Sequence, residues 1–369
     1  MKTPKTYSAK FELIKRELEA RIRNGLYRHG DPLPSEQKLS ELFDVGRNTV
    51  RKAIACLEAE HLLVKRQGRV SRVNYRSAGR SARGKANRLA YFYNYLSCQI
   101  NVNVIYQSLF EEIVKSAAEY GLAVDFFSTD SPNCWNVFNA HRWYYLGAFS
   151  VGLNDTNMSR GAYERLEAVE NLIALDEVAN VPARHLISVD NYQSGQLAAQ
   201  HLLQCGCRKL AMFSFPEGNL PFDMRRNGFI SVLPEEYKRK FKLIPISSYI
   251  DKPMDPALLD EVWNNVRSSD GIFCYCDFAA IHVLNALHFH NCRIPYEKSV
   301  IGFDGILIGQ HTLPRLTSIA HPTQQIAEAA VRLALQLAEN PKLDNQDIRI
   351  KSKLILGETT NILTHAKKR

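Results

Sequence analysis

The sequence predicts an α/β protein in which a small basic N-terminal domain precedes a larger body of alternating strands and helices. Of its 369 residues, 45% are hydrophobic and 23% are charged, which is ordinary for a globular protein of two or three domains. The net charge of +9 is concentrated at one end. Residues 1–88 carry 21 Lys and Arg against 9 Asp and Glu, whereas residues 89–369 carry 26 against 29. A basic head on a nearly neutral body indicates that the head binds a polyanion and the body has another task.

The basic head has the pattern of three helices followed by a hairpin. Ser35 is placed to begin the second helix, and the short DVG turn separates the second helix from the third. Apolar segments at 62–64 and 70–73 flank the basic turn KRQGR and predict two antiparallel strands. Two helices joined by a short turn and followed by a basic hairpin are typical of a winged helix-turn-helix. The residues expected to face inward are Phe11, Ile14, Leu18 and Ile22 in the first helix, Leu39, Leu42 and Phe43 in the second, and Val50, Ala53, Ile54 and Leu57 in the third.

The segment LPSEQKLSELFDVGRNTVRKAIACLEAEHLLVKRQGR resembles, without a gap, the DNA-binding domain of the GntR family of bacterial regulators. Arginine can read guanine and asparagine can read adenine in the major groove, so the third helix offers base-reading side chains. Many family members have Arg where this chain has Gln37. The residues that the resemblance implies at the DNA are Gln37 on the second helix, Arg47, Asn48, Thr49 and Arg51 on the third, and Gln67 and Gly68 at the tip of the hairpin.

The segment 74–88, NYRSAGRSARGKANR, is rich in basic and small residues and contains no acidic residue. Because it has no apolar face to bury, we expect a flexible basic linker. The predicted organisation is therefore a DNA-binding domain at 1–73, a linker at 74–88 and an effector-binding body at 89–369.

In the body, short apolar runs such as LAYFYNY, LGAFSVGL, LAMFSF and GIFCYC alternate with amphipathic stretches. This alternation predicts βαβ units and parallel sheets covered by helices on both faces. The dinucleotide and P-loop glycine motifs do not follow these runs, so neither nucleotide signature is present.

Four further segments, ISVDNYQSGQLAAQHLLQCGCRKLAMF, RRNGF, SVIGFD and LPRLTSI, resemble landmarks of the LacI/GalR sensor domain. This resemblance implies a periplasmic-binding-protein-like fold, in which two Rossmann-like lobes enclose a ligand cleft. The combination with a GntR-like head resembles the arabinose-repressor group of regulators. The expected lobes are about 89–206 with 320–338, and about 207–319 with 339–369.

Five residues are the candidates for binding an effector in that cleft. Arg225 in RRNGF matches the position of the family's ligand-holding arginine, and Tyr106 matches an aromatic residue near the ligand. Asp190, Asp277 and Asp304 follow apolar strands, where open α/β sheets place ligand groups. A core role for Tyr106 and structural roles for Asp190 and Asp277 are open alternatives.

Several classes of protein and site are not expected. The chain has no long apolar run, and its first 25 residues are rich in charge, so we predict a cytoplasmic protein without a membrane segment. The eight cysteines include two CxC pairs rather than CxxC pairs, which favours buried thiols over a metal site. No cofactor is expected.

The predicted function is a sequence-specific transcription regulator, a repressor of carbohydrate uptake or catabolism genes. We expect it to bind near-palindromic double-stranded operator DNA as a homodimer and to be released by a monosaccharide or sugar phosphate. An activator, or a regulator with a non-sugar effector, is the alternative. An enzyme body fused to a DNA-binding head is a remote alternative, because pyridoxal phosphate chemistry needs a Schiff-base lysine and no convincing site for one is found.

Overall fold

The computed structural model describes residues 5–23, 27, 30–65, 70–74, 86–94, 100–131, 133–153, 158–176, 180, 183–215, 218, 220–245 and 254–361. The chain divides into two compact units, Met1–Ala86 and Asn87–Arg369. Gln67 and Gly68, and the linker residues 75–85, lie outside the described residues.

The first unit contains α1 (Lys5–Arg23), α2 (Glu36–Leu42), α3 (Arg47–Ala59), β1 (Leu63–Val64) and β2 (Arg72–Val73), and β1 and β2 pair antiparallel. The Ser35 side chain accepts a hydrogen bond from the backbone N–H of Lys38, which satisfies one of the free donors at the start of α2. The predicted apolar stripes on α1 and α3 form the core of this unit. The prediction for Leu42 was wrong. Its side chain is exposed because α2 ends at this residue, and the next residue, Phe43, takes the inward position.

The elements of the second unit alternate along the chain as predicted. Its strands are β3 (Arg88–Tyr93), β4 (Ala123–Ser128), β5 (Tyr145–Val151), β6 (Leu172–Leu175), β7 (His185–Val189), β8 (Leu210–Ser214), β9 (Lys242–Pro245), β10 (Gly271–Cys274), β11 (Ser299–Asp304), β12 (Thr317–Ala320), β13 (Asp347–Ile350) and β14 (Lys353–Ile355). Its helices are α4 (Ile100–Glu119), α5 (Cys134–His141), α6 (Arg160–Glu167), α7 (Asn191–Gln204), α8 (Leu220–Ser231), α9 (Glu235–Lys238), α10 (Pro256–Val266), α11 (Asp277–Phe289) and α12 (Thr323–Glu339).

The strands form two six-stranded sheets. The first has the order β13-β7-β6-β5-β3-β4 and is parallel throughout, and the second has the order β14-β12-β11-β10-β8-β9 with only β14 antiparallel. Two parallel sheets in one two-lobed body confirm the predicted fold class. We call the part built on the first sheet lobe one and the part built on the second sheet lobe two.

Two segments, α7 and β13, do not lie in the lobe that was predicted for them. Helix α7, expected in lobe one, packs against α8 and β10 of lobe two. Strand β13, expected in lobe two, pairs with β7 in lobe one. The chain crosses between the lobes after β7, after β12 and after β13, and the elements on both sides of each crossing contain apolar residues. The partner of each segment is therefore decided by long-range pairing and not by local pattern.

Helices α7 and α8 pack backbone to backbone at two glycines. A Cβ atom on Gly195 of α7 would collide with the carbonyl oxygen of Arg225, and one on Gly228 of α8 would collide with that of Tyr192. This close approach brings the first turn of α7 beside the middle of α8, and it therefore positions Arg225.

None of the helices in the described ranges is long and apolar enough to cross a membrane.

Candidate DNA-binding face and effector cleft

Helix α3 places its polar side chains on the face opposite to its core stripe. Val50, Ala53, Ile54 and Leu57 are buried, and the helical period leaves the intervening residues outward. We call the outward residues of the first two turns the DNA-binding face. Of these residues, Arg47, Asn48 and Arg51 are exposed and Thr49 is half-buried. This face carries the fork-shaped and amide groups that can read base edges in a major groove.

Arg51 on this face forms an ion pair with Glu36 in the first turn of α2. Its Nη2 lies 2.8 Å from Oε2 of Glu36, and its Nε lies 3.2 Å from both carboxylate oxygens. The hydrogen bonds raise the pKa of Arg51 and lower the pKa of Glu36. Sequence reasoning missed Glu36, because its partner is 15 residues away and the turn between α2 and α3 brings the two together. Gln37 is exposed beside it, with its side-chain amide donating to Glu41 over 3.3 Å.

Arg225 is buried in the middle of α8 and fixed by neighbours on three sides. Its Nε donates to Oδ1 of Asn191 over 2.7 Å, and its Nη1 donates to the carbonyl oxygen of Tyr275 over 2.9 Å. The guanidinium carbon lies 3.5 Å from the ring centroid of Phe303 and 5.2 Å from that of Phe222. Two of its five N–H donors are therefore used within the fold.

Asp304 and His321 lie together at the carboxyl end of the second sheet. Asp304 ends β11 with a φ of 107°, and its carbonyl oxygen accepts a hydrogen bond from the backbone N–H of His321. The His321 ring stands edge-on to Phe303, with the centroids 6.4 Å apart. Its Nδ1 is buried and has no hydrogen-bond partner among the described residues.

Tyr106 and Asp176 form the corresponding pair in lobe one. The Tyr106 hydroxyl donates to Oδ2 of Asp176 over 3.0 Å, and its ring packs edge-on against Tyr93. Asp176 follows β6 with a φ of 68°. Gly152 has a φ of 60°, and a Cβ atom there would lie 2.8 Å from the Tyr106 hydroxyl. The backbone at Gly152 therefore leaves room for this tyrosine.

The charge of Asp176 in lobe one influences the pKa values of Arg225 and Asp304 in lobe two. Burial raises the pKa of Asp304 well above its usual range, and the charges of Asp277 and Asp176 raise it further while Arg225 opposes them. Burial lowers the pKa of Arg225, with the charges of Asp304 and Asp176 acting in the other direction. Residues of both lobes thus share one electrostatic environment. We call the residues that share it the effector cleft: Tyr106 and Asp176 from lobe one, and Arg225, Asp304 and His321 from lobe two.

Two further predicted cleft residues, Asp277 and Asp190, accept hydrogen bonds within the fold. The fully buried Asp277 accepts hydrogen bonds from the Ser318 hydroxyl over 2.6 Å and from the Ile306 backbone N–H over 2.8 Å, and burial raises its pKa to about 7. Asp190 caps α7 by accepting a hydrogen bond from the Gln193 backbone N–H over 2.9 Å. These carboxylates hold the loop after β11 and the start of α7.

Three residues that belong to this arrangement were missed from sequence: Asp176, Asn191 and His321. A signal existed for Asp176, because it ends the apolar run LIALD as Asp304 ends SVIGFD. No sequence pattern pointed to Asn191 or His321. The packing of α7 on α8 brings Asn191 to Arg225, and the end of β12 brings His321 to Asp304.

A cavity of about 530 Å³ lies away from the effector cleft, at the edge strand β4. Its lining includes Phe126, Tyr144 and the Arg88–Asp125 ion pair, which also receives a hydrogen bond from the Tyr145 hydroxyl over 2.8 Å. None of the predicted effector residues lines it. Within the described residues, no cluster of three or more His, Cys, Asp or Glu side chains has metal-binding geometry.

Comparison with known families matches both parts of the chain. Residues 11–73 match the bacterial regulatory proteins of the gntR family, and residues 199–360 match the periplasmic binding protein-like domain. The chain therefore combines a segment similar to gntR-family regulators with a segment similar to the periplasmic binding protein-like domain. This confirms the combination that the sequence motifs predicted.

Curated relatives of this two-domain chain include an arabinose metabolism transcriptional repressor of Halalkalibacterium halodurans, which is 24% identical over 95% of this chain and 96% of its own length. The ribose operon repressor of the same organism is 31% identical, but the match covers 54% of this chain and 58% of that repressor. These relatives are named as transcription repressors and not as enzymes.

Solved structures share the fold of the second unit. A LacI family regulator from Enterococcus faecium with bound ribose is 20% identical, with a TM-score of 0.58 over 75% of this chain and 100% of that chain. The CelR–cellobiose complex is 15% identical, with a TM-score of 0.58 over 89% of this chain and 100% of that chain. At these identities the comparison establishes the two-lobed fold.

Proposed function

We propose that this protein is a DNA-binding transcription repressor of carbohydrate uptake or catabolism genes, released by a small sugar bound between its lobes. The observation that carries the proposal is the pairing of the two sites in one chain. A matched gntR-family domain presents Arg47, Asn48 and Arg51 to solvent, and a two-lobed body brings polar groups of both lobes into one cleft. The arabinose repressor, which matches along nearly its whole length, supports the same reading.

In the DNA complex we assign base reading to Arg47, Asn48 and Arg51, and backbone contacts to Gln37 and Thr49. Gln67 and Gly68 are assigned to the minor groove by resemblance alone. Because one such head covers only a few base pairs, a symmetric pair of heads on a near-palindromic operator is expected. A protein that regulates transcription in a bacterium works in the cytoplasm, which is where we place it.

A homodimer supplies that pair of heads, and lobe two offers an apolar surface for it. Leu313 is 86% exposed, Leu307 is 73% exposed, and Ile308 lies between them in the same short segment. A cluster of exposed aliphatic side chains is typical of a surface that contacts another protein. We assign this segment, 307–313, to contact with a second copy of the chain.

In the cleft we assign effector binding to Tyr106, Arg225 and Asp304. A sugar hydroxyl is both a donor and an acceptor, so it can donate to a carboxylate oxygen of Asp304 while accepting from the guanidinium of Arg225. Asp190 and Asp277 are assigned a positioning role, because their oxygens already accept hydrogen bonds within the fold.

The proposal is tested by selecting DNA fragments from a random duplex library with the full-length protein and then titrating sugars against the selected complex. The expected outcome is a near-palindromic site whose affinity falls by about 5–150-fold when the effector is bound. Arg51→Ala serves as the DNA-binding control. Failure to enrich any sequence above the library background would contradict the DNA-binding part, and a selected complex insensitive to every sugar would contradict the effector part.

A further inference from the structure

We infer that lobe one carries a second ligand site, in the cavity beside β4, and that this site binds a small aromatic carboxylate. The cavity encloses about 530 Å³, and sites for small molecules typically enclose about 300–1,000 Å³. The edge strand β4, helix α5 and the first residues of β3 and β5 contribute to its lining. The inference goes beyond the proposed function, because neither DNA nor the sugar effector takes part in it.

This cavity and the effector cleft lie at opposite ends of the first sheet. Arg88 and Tyr145 are the first residues of β3 and β5, so they mark the amino ends of these strands. Asp176 of the effector cleft follows the carboxyl end of β6, and β3, β5 and β6 run parallel. The six residues of β3 span about 20 Å at about 3.3 Å per residue. A ligand of the size of one aromatic ring therefore occupies one site without reaching the other.

One side of the cavity is an ion pair between the start of β3 and the edge strand. The Nε of Arg88 donates to Oδ2 of Asp125 over 2.6 Å, and its Nη2 donates to Oδ1. The Tyr145 hydroxyl also donates to Oδ2 of Asp125, over 2.8 Å. The hydrogen bond from Arg88 is the main cause that lowers the pKa of Asp125, so this group is a carboxylate at neutral pH. The guanidinium is therefore held along one edge in a fixed orientation.

The other edge of this guanidinium is available to a ligand. Arginine has five N–H donors, and Asp125 takes one from Nε and one from Nη2. No acceptor in the described part of the chain takes the other three, which lie on Nη1 and Nη2. Two parallel N–H donors on adjacent nitrogens hold a carboxylate in bidentate geometry. The Arg88 and Asp125 side chains are 39% and 29% exposed, so water screens the repulsion between Asp125 and an incoming carboxylate.

Apolar and aromatic side chains form the rim of the cavity. Val137 and Tyr144 line it and are 50% and 44% exposed. His141 is exposed on the same side of α5 as Val137, because the two residues are four positions apart. Its ring lies nearly parallel to that of Tyr144, with the planes at 21° and the centroids 6.2 Å apart. Exposed ring faces of this kind stack on another aromatic ring. The rim therefore favours an aromatic group, and Arg88 favours a carboxylate attached to it.

The test is isothermal titration calorimetry of the full-length protein with benzoate and 4-hydroxybenzoate, at two temperatures so that a binding enthalpy near zero does not hide binding. We expect a Kd of about 0.1–1 mM for at least one of these acids. Benzamide, which has nearly the same shape without the charge, should bind about 10-fold more weakly. Cyclohexanecarboxylate, which keeps the charge without the aromatic faces, should bind about 2–10-fold more weakly.

Three variants locate the site. Arg88→Gln removes the anchoring charge and should weaken benzoate binding about 10-fold. Tyr144→Ala removes an exposed ring from the rim, where it does not disturb the ion pair, and should weaken binding about 2–10-fold. Tyr296→Ala, which removes an 81% exposed tyrosine from lobe two, is the matched control and should bind benzoate as the wild type does. Tryptophan fluorescence during urea unfolding verifies that each variant is folded.

Three results would overturn the inference. The first is that neither aromatic acid binds, and the second is that benzamide binds as tightly as benzoate. The third is an unchanged benzoate affinity in both Arg88→Gln and Tyr144→Ala, because binding then occurs elsewhere on the protein. None of these measurements involves operator DNA or a sugar, so the proposed function stands or falls by its own experiment.

Discussion

Replacing Arg225 by alanine should both destabilise the second unit and abolish effector binding. The side chain is buried, and it donates one hydrogen bond to the fully buried Asn191 and another to the Tyr275 carbonyl oxygen. A hydrogen bond with a charged partner contributes about 1.5–3 kcal/mol. The loss of two such bonds is offset in part because the cost of burying the guanidinium disappears. We therefore expect the unfolding free energy to fall by about 2–4 kcal/mol.

The three tryptophans allow this loss to be assigned to one unit. Trp135, Trp143 and Trp263 all lie in the second unit, so tryptophan fluorescence during urea unfolding reports on the sensor body and not on the head. Arg239→Ala, which removes an exposed arginine just after α9, is the matched control and should leave the transition unchanged. In effector-free buffer below the unfolding transition, Arg225→Ala should retain operator affinity, because the DNA-binding face belongs to the first unit.

A lysine at the same position separates charge from geometry. Arg225→Lys keeps the positive charge, but a single ammonium group cannot reproduce the planar fork that reaches Asn191 and Tyr275 together. We expect sugar binding to be lost in Arg225→Lys as well as in Arg225→Ala. Wild-type stability and wild-type sugar affinity in the alanine variant would refute the role that the contacts assign to this residue.

Three further predictions concern the head, the assembly and pH. In fluorescence anisotropy, Arg51→Ala should weaken operator binding about 5–150-fold. Because Glu36 orients this arginine, Glu36→Ala should weaken operator binding less and should leave binding to random duplex DNA unweakened. Tighter operator binding in Glu36→Ala would show that Glu36 competes with DNA for Arg51. In the proposed dimer, Leu313→Lys should lower the mass measured by light scattering from that of two chains to that of one, and a mass that stays at two chains would place the contact elsewhere. Because the folded-state pKa of Asp277 is raised to about 7, this residue stabilises the fold fully below its unfolded pKa, and its contribution falls between about pH 4 and pH 7. The unfolding free energy of wild type relative to Asp277→Asn should fall over that range, and a flat difference would show that Asp277 does not titrate there.

Local patterns were sufficient for the head and for the order of elements in the body. The core stripe of α3 follows from apolar residues at helical spacing, and the same spacing leaves Arg47, Asn48 and Arg51 outward. The cap at Ser35 follows from its position before a helix. The strand–helix alternation predicted parallel sheets, and Asp304 at a strand end predicted a polar group at a carboxyl edge. Each of these properties depends on residues within a few positions of one another. The division into two lobes was implied by the resemblance to the LacI/GalR sensor domain.

Tertiary structure alone decided which distant groups meet. The partnership of Arg225 with Asn191 depends on two glycines that let α7 and α8 touch, and the partnership of Tyr106 with Asp176 joins residues 70 positions apart. Tertiary packing also decided that α7 lies in lobe two and β13 in lobe one. Side-chain periodicity records which face of an element is buried, but not which element covers it. The effector cleft is built from such pairings, so the sequence by itself determined the classes of its residues, and long-range packing determined their arrangement.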